Sequence, residues 1–186
     1  MAALEEQKMT MKQTLFPALA MGALTLSTIS AYAKGPAPVT VSLKTAQGAD
    51  AGTVVLRQEK GFVTVKVDVK GLPPGEHAIH VHSAAKCDPP DFKTAGPHFN
   101  PDQKEHGFLN PKGHHNGDMA NFTVKPNGTA KATIKDADVV LGTGSEPNSL
   151  FANGGTALMI HAKADDMKTD PAGNAGDRIA CGVITK

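Results

Sequence analysis

Between Gly61 and Gly71 the chain reads GFVTVKVDVKG, with Val63, Val65, Val67 and Val69 alternating with Thr64, Lys66, Asp68 and Lys70. Successive side chains of a strand point to opposite faces, so this period predicts an antiparallel strand with one buried face and one in water. Similar short runs follow the same rhythm: VTVSL at 39–43, GTVVLRQ at 52–58, HAIHVH at 77–82, NFTVK at 121–125, TAKATIK at 129–135, TALMIHA at 156–162 and IACGVIT at 179–185. No segment carries a sustained helical period. Eight candidate strands predict an all-β fold, an eight-stranded antiparallel Greek-key barrel or sandwich. KPNGT at 125–129 reads as a hairpin turn in which Asn127 and Gly128 supply positive φ angles. Two segments break the rhythm. Residues 83–120 and 163–178 are long, polar and rich in Pro, Gly, Asp and Lys. Loops of this kind in one domain usually carry function, and metals or a disulfide can offset the entropy of ordering them.

The 186 residues suit one domain with a sizeable core. A formal net charge of +1, without long basic or acidic blocks, argues against nucleic acid or an anionic membrane surface as partner. At the N-terminus, Lys12 precedes the apolar run TLFPALAMGALTLSTIS, and AYA follows at 31–33. A basic start, a short apolar stretch and a small-x-small site form the pattern of a secretory signal peptide, removed after Ala33. Glu5 and Glu6 ahead of that pattern leave Met9 and Met11 as alternative starts. The expected mature chain is 34–186, exported to the periplasm or the exterior and free of the membrane after cleavage. It keeps both cysteines, Cys87 and Cys181. Export to an oxidising compartment favours pairing them, and two free buried thiols are the alternative.

The eight histidines, His77, His80, His82, His98, His106, His114, His115 and His161, all fall in the middle of the chain. His80 and His82 share one face of their strand, opposite Ile79 and Val81. His161 ends another apolar strand before the second long loop. The first loop adds His98 in AGPHFNP, His106 in KEHG, and His115 with Asp118 in HHNGD. Neutral imidazole suits copper and zinc alike, and three imidazoles with one carboxylate match a closed tetrahedral zinc site.

HVH at 80–82, AGPHFNP at 95–101, HHNGD at 114–118, HAKADD at 161–166 and GNAGDRIACGVI at 173–184 together resemble copper/zinc superoxide dismutase, in the family's motif order over nearly the whole mature chain. The resemblance implies a domain over 34–186 that disproportionates superoxide to O2 and H2O2, with one copper and one zinc per subunit. It implies copper at His80, His82, His98 and His161, and zinc at His98, His106, His115 and Asp118, with His98 bridging the two and acting in catalysis. Asp165 matches the carboxylate that links His80 to His106, Arg178 the arginine that orients the anionic substrate, and Cys87 with Cys181 the disulfide. His77 and His114 match no ligand position, His114 being the understudy. A homodimer is compatible with the family, whose interfaces differ between lineages. The loop KADDMKTDPAGNAGDR is shorter than in animal members, and Ala172 stands where they usually carry threonine, so the long-range steering field does not transfer. Two other readings compete: an exported copper/zinc-binding module without activity, and a zinc hydrolase, which would need an open zinc position.

Overall fold

Nine strands and two 3-10 helical turns make up the regular structure among residues 35–186, the part of the chain that the computed structural model describes. The signal-peptide reading of 1–33 lies outside the described residues. The strands are β1 (Val39–Thr45), β2 (Asp50–Glu59), β3 (Phe62–Val69), β4 (Gly75–His77), β5 (Ile79–His82), β6 (Phe122–Val124), β7 (Ala130–Asp136), β8 (Thr156–His161) and β9 (Arg178–Ile184). All pairings are antiparallel. Seven strands form one sheet in the order β5-β8-β9-β1-β2-β3-β7, and β4 pairs with β6. Because β4 runs into β5 and β6 turns into β7, the two-stranded piece joins the two ends of the larger sheet. The result is a curled, barrel-like antiparallel fold with crossovers at β5-β8, β9-β1 and β3-β7.

The alternation in β3 sets one wall of the core: Val63, Val65, Val67 and Val69 are buried, while Lys66 and Asp68 face water. They pack with Val41, Leu43, Val54, Leu56, Ile79, Val81, Leu158 and Ile160 in one continuous apolar cluster. Burying each such side chain stabilises the fold by about 1.5–3 kcal/mol before the entropy of ordering is counted.

Two details differ from the sequence expectation. The run at 77–82 is not one strand but two, so eight apolar runs become nine strands. The break falls at Ala78, whose N–H goes to the Lys163 carbonyl and whose carbonyl accepts the His161 N–H, diverting the chain from β6 to β8. The turn at 125–129 takes positive φ only at Gly128. Pro126 holds φ negative at the first central position, which excludes the mirror-image turn, and Asn127 Oδ1 instead accepts from the Thr129 N–H and hydroxyl. Beyond that turn β6 and β7 part, β6 to β4 and β7 to β3.

Cys87 and Cys181 are joined in a disulfide with Cα atoms 5.7 Å apart, tying the first long loop to β9. With 94 residues of sequence separation, the chain-entropy account gives such a closure about 4–5 kcal/mol. Phe92, Ala95, Ala157, Met159 and Cys181 form a second small apolar cluster beneath the bridge.

Candidate metal centre

Strands β5 and β8 carry the first three histidines. Ile79 and Val81 enter the main core, so His80 and His82 emerge on the other face, where the long loop covers them almost completely. That loop is itself hydrogen-bonded to β5. The Phe99 N–H donates to the Val81 carbonyl (2.8 Å), the Val81 N–H to Gly117 (2.9 Å), and the Gly117 N–H to Phe99 (2.8 Å). These bonds set His98 opposite His82 and Asp118 opposite His80. A side chain at Gly117 would collide with the Val81 carbonyl, so the close approach requires glycine there.

Two four-residue groups of donor atoms result, sharing one residue: His80, His82, His98 and His161, and His98, His106, His115 and Asp118, all buried. In the second group Asp118 Oδ1 lies 2.9 Å from His98 Nδ1, 3.0 Å from His106 Nδ1 and 3.4 Å from His115 Nδ1. His115 Nδ1 is 3.4 Å from His98 Nδ1. A tetrahedron of ligands about 2.0–2.1 Å from a central zinc has edges of about 3.3 Å, so this donor set fits a tetrahedral ion. In the first group His82 Nε2 and His161 Nε2 are 3.4 Å apart. His80 Nδ1 and His98 Nε2 are buried without any protein partner. Orphaned buried nitrogens are costly, and a cation among these four rings would satisfy both.

The remaining ring nitrogens fix the tautomers. His82 Nδ1–H donates to the Gly96 carbonyl (2.8 Å) and His161 Nδ1–H to Gly176 (3.2 Å), leaving each Nε2 lone pair directed inward. Asp165 accepts from His80 Nε2–H (2.8 Å) and His106 Nε2–H (3.0 Å), linking the two groups. Its own backbone is clasped at both ends by Asn121: the Asp165 N–H donates to Asn121 Oδ1, and Asn121 Nδ2–H donates to the Asp165 carbonyl, each at 2.9 Å. Gly173 lies against Asp165 and His106 at positive φ, where any side chain would strike the carboxylate.

The charges follow. Burial is the main cause that lowers the pKa of His80 and His82, and of His98 and His161 to about 4, so these imidazoles are neutral near pH 7. Neutral rings are what a metal needs. Burial also opposes charge on His106, but hydrogen bonds to Asp118 and Asp165 outweigh it and raise that pKa to about 9. A cation entering the second group therefore displaces a proton. Burial favours protonation of Asp118, yet its bonds to His106, His115, His98 and the Gly107 N–H hold its pKa far below the usual carboxylate range.

Arg178 opens β9 opposite His161. Its guanidinium donates to the carbonyls of Phe92 and Gly96, each at 2.8 Å, which fixes it at a cavity of about 560 Å³ lined also by His82, His98, His161 and Ala172. His77 is no ligand, but neither is it an ordinary strand residue. It is buried, with its ring nitrogens 2.8 Å from the His161 and Pro73 carbonyls, beneath the first group. His114 turns away and donates Nε2–H to Asp138 (2.9 Å). Asn121 and Asp170, whose carboxylate accepts the His106 N–H at 2.7 Å, were not anticipated. Their partners lie 44 and 64 residues away in the chain, so no local motif marks them.

The model of the copper/zinc superoxide dismutase family matches residues 50–184. The superoxide dismutase [Cu-Zn] 1 of Aquifex aeolicus is 50% identical over 139 residues, covering 74% of this chain and 82% of the relative. The Caulobacter vibrioides superoxide dismutase [Cu-Zn] is 42% identical over 147 residues, 78% of this chain and 84% of that protein. Among solved structures, a superoxide dismutase-like protein from Bacillus subtilis superposes with a TM-score of 0.74 at 36% identity, covering 77% of this chain and 96% of its own. The Cu/Zn superoxide dismutase from Brucella abortus gives 0.64 at 28% identity, over 80% and 99% respectively. Motif order, curled antiparallel fold, joined histidine groups and a family match across most of the described residues converge: the chain belongs to the copper/zinc superoxide dismutase family.

Proposed function

We propose that this protein disproportionates superoxide to O2 and H2O2 outside the cytoplasm, with copper held by His80, His82, His98 and His161 and zinc by His98, His106, His115 and Asp118. One observation carries the reading: His98 offers Nδ1 to one buried group and Nε2, otherwise without a partner, to the other. Copper, when bound, supplies the one-electron chemistry that alternately oxidises and reduces superoxide.

The chain's own residues do the rest. Arg178, pinned by two carbonyls, presents a fixed positive charge at the cavity that reaches His82, His98 and His161. In a confined, poorly solvated space one such charge attracts an anion far more strongly than in bulk water. His98 Nε2 is the atom at which a proton can be held beside the substrate. Its ring keeps its orientation throughout because Nδ1 is engaged in the second group. Asp165 holds His80 and His106 at once, so the two groups keep their relative position. Three imidazoles and a carboxylate close the second group, which disfavours a zinc hydrolase. A binding module without activity is disfavoured because both ligand groups and Arg178 are complete.

Export rests on the basic, apolar and small-x-small pattern of 1–33, and a disulfide suits an oxidising compartment. Metal analysis and a superoxide-consumption assay on protein purified from the periplasm or medium test the proposal. The expected result is one copper and one zinc per chain, a copper(II) resonance, rapid superoxide consumption, and an N-terminus at Lys34. Copper-loaded protein without activity would refute the catalytic reading, and an intact N-terminus on exported protein would refute the cleavage.

A further inference from the structure

In the two ligand groups, His80, His82, His106 and His161 each have their outward nitrogen tied by a hydrogen bond, and His98 turns both nitrogens inward. His115 is the exception. Its Nδ1 belongs to the zinc group, but its Nε2 has no hydrogen-bond partner, and the acceptor facing it is Asp170 Oδ1 at 3.9 Å. The same oxygen accepts the His106 N–H at 2.7 Å. We infer that Asp170 is a positioning residue of the zinc site, holding the His106 backbone and steering the His115 ring through Nε2–H.

The loop is built to deliver that carboxylate. Asp166 gathers the N–H groups of Lys168 (3.0 Å) and Thr169 (2.8 Å), the Thr169 hydroxyl (2.6 Å) and the Asn174 amide (2.9 Å). The Asp166 N–H donates to the Gly173 carbonyl, and the Gly173 N–H to Thr169. Residues 166–174 are thus folded on themselves, and Asp170 projects from a braced turn. From this one short loop, Asp165 reaches the His106 ring and Asp170 its backbone. Asp170 also lines a cavity of about 580 Å³ that reaches His98 and His115. A carboxylate behind a metal-bound imidazole fixes its orientation and raises its basicity, and losing such a partner typically costs about 10–100-fold in metal affinity.

The inference rests on the zinc assignment above, and the test separates the two. Zinc affinity is measured by competition with a chromophoric chelator in the copper-loaded protein and its Asp170→Ala, Asp170→Asn and Asp118→Ala variants, with melting temperatures recorded with and without zinc. Asp170→Ala should bind zinc about 10–100-fold more weakly with copper content unchanged. Asp170→Asn should fall between, because an amide oxygen still accepts the His106 N–H. The melting temperature gained on adding zinc should shrink, while that of the zinc-free protein changes little. Parental zinc affinity in Asp170→Ala, with zinc lost in Asp118→Ala, overturns this inference alone. Zinc retained at parental affinity in Asp118→Ala overturns the assignment beneath it. A melting temperature lowered equally with and without zinc, at unchanged affinity, makes Asp170 a plain loop clasp and also overturns the inference.

Discussion

Strands β3 and β8 are apolar runs of one sheet, yet they sit in opposite kinds of surroundings. The outer face of β3 shows Lys66 and Asp68 to water, and its inner valines need only apolar neighbours. All six residues of β8 are buried, as are all four of β5, because the two long loops lie over their outer faces. That second face is crowded with polar atoms that each require a partner: carbonyls serve His82 and His161, Asp165 serves His80 and His106, and the proposed ions would serve the nitrogens left over. Losing a methyl group from the valine wall costs stability but touches no ligand group. Under the proposed metal assignment, the histidine wall would lose its chemistry with any single ligand. Stability and reactivity are thus concentrated in different parts of the same sheet.

Paired substitutions should make that separation measurable. His80→Ala in β5 removes a buried donor from the first group. It should abolish superoxide consumption by more than the ~10–100-fold typical of a lost outer partner, with selective copper loss by metal analysis. Leu56→Ala in β2 should lower unfolding stability by about 2–5 kcal/mol in denaturant titration. It should keep parental activity and metal content where the protein remains folded. If Leu56→Ala lost metal as readily as stability, the two regions would be one energetic unit.

One residue breaks the contrast from within. Asp136, at the end of β7 opposite Val63, is a carboxyl in the apolar wall, and its Oδ2 has no partner. Burial, reinforced by the charges of Asp138 and Asp118, raises its pKa to about 7. An acid whose folded pKa exceeds its unfolded value binds more protons when folded. Its contribution is therefore complete below pH 4 and is lost as pH rises to 7. Asp136→Asn keeps the acceptor for the Asp138 N–H and should remove this slope. Relative to the parent, it should gain stability between pH 5 and 8, by up to about 4 kcal/mol. Parallel stability–pH curves for parent and variant would mean that Asp136 is not protonated in the fold.

Arg178 marks the seam between the regions and should give the smallest effect. Arg178→Ala should keep both metals and slow the second-order reaction by about tenfold, the low end of electrostatic focusing. Its rate should also depend less on ionic strength than the parent's. Unchanged rate and salt dependence would reduce Arg178 to a loop brace for Phe92 and Gly96.

The same contrast governs what could be read from the chain beforehand. The strict alternation of β3 is a local signal, and so is the placement of His80 and His82 opposite Ile79 and Val81; both appear in the structure, except that Thr64, expected on the water face, is buried. The split at Ala78 is not local, because its partners are the backbones of His161 and Lys163. The turn at 125–129 departs from the expected mirror-image form at Asn127, and Pro126 is the local signal for that departure. Spacing alone could not bring His98 to both groups; that expectation came with the family resemblance, whereas two cysteines in a chain with an export pattern already favoured the Cys87–Cys181 pair. Asn121 and Asp170 stayed invisible because an amide before a strand and an acid before a proline look like ordinary loop residues until the fold closes.

The central claim is that two different ions share His98. It is tested most directly by anomalous diffraction from crystals of the metal-loaded protein, recorded on both sides of the copper and zinc absorption edges. The account predicts a copper peak among His80 Nδ1, His82 Nε2, His98 Nε2 and His161 Nε2. It predicts a separate zinc peak among His98 Nδ1, His106 Nδ1, His115 Nδ1 and Asp118 Oδ1. A single peak, exchanged metals, or a His98 ring bound through only one nitrogen in the oxidised protein would contradict it.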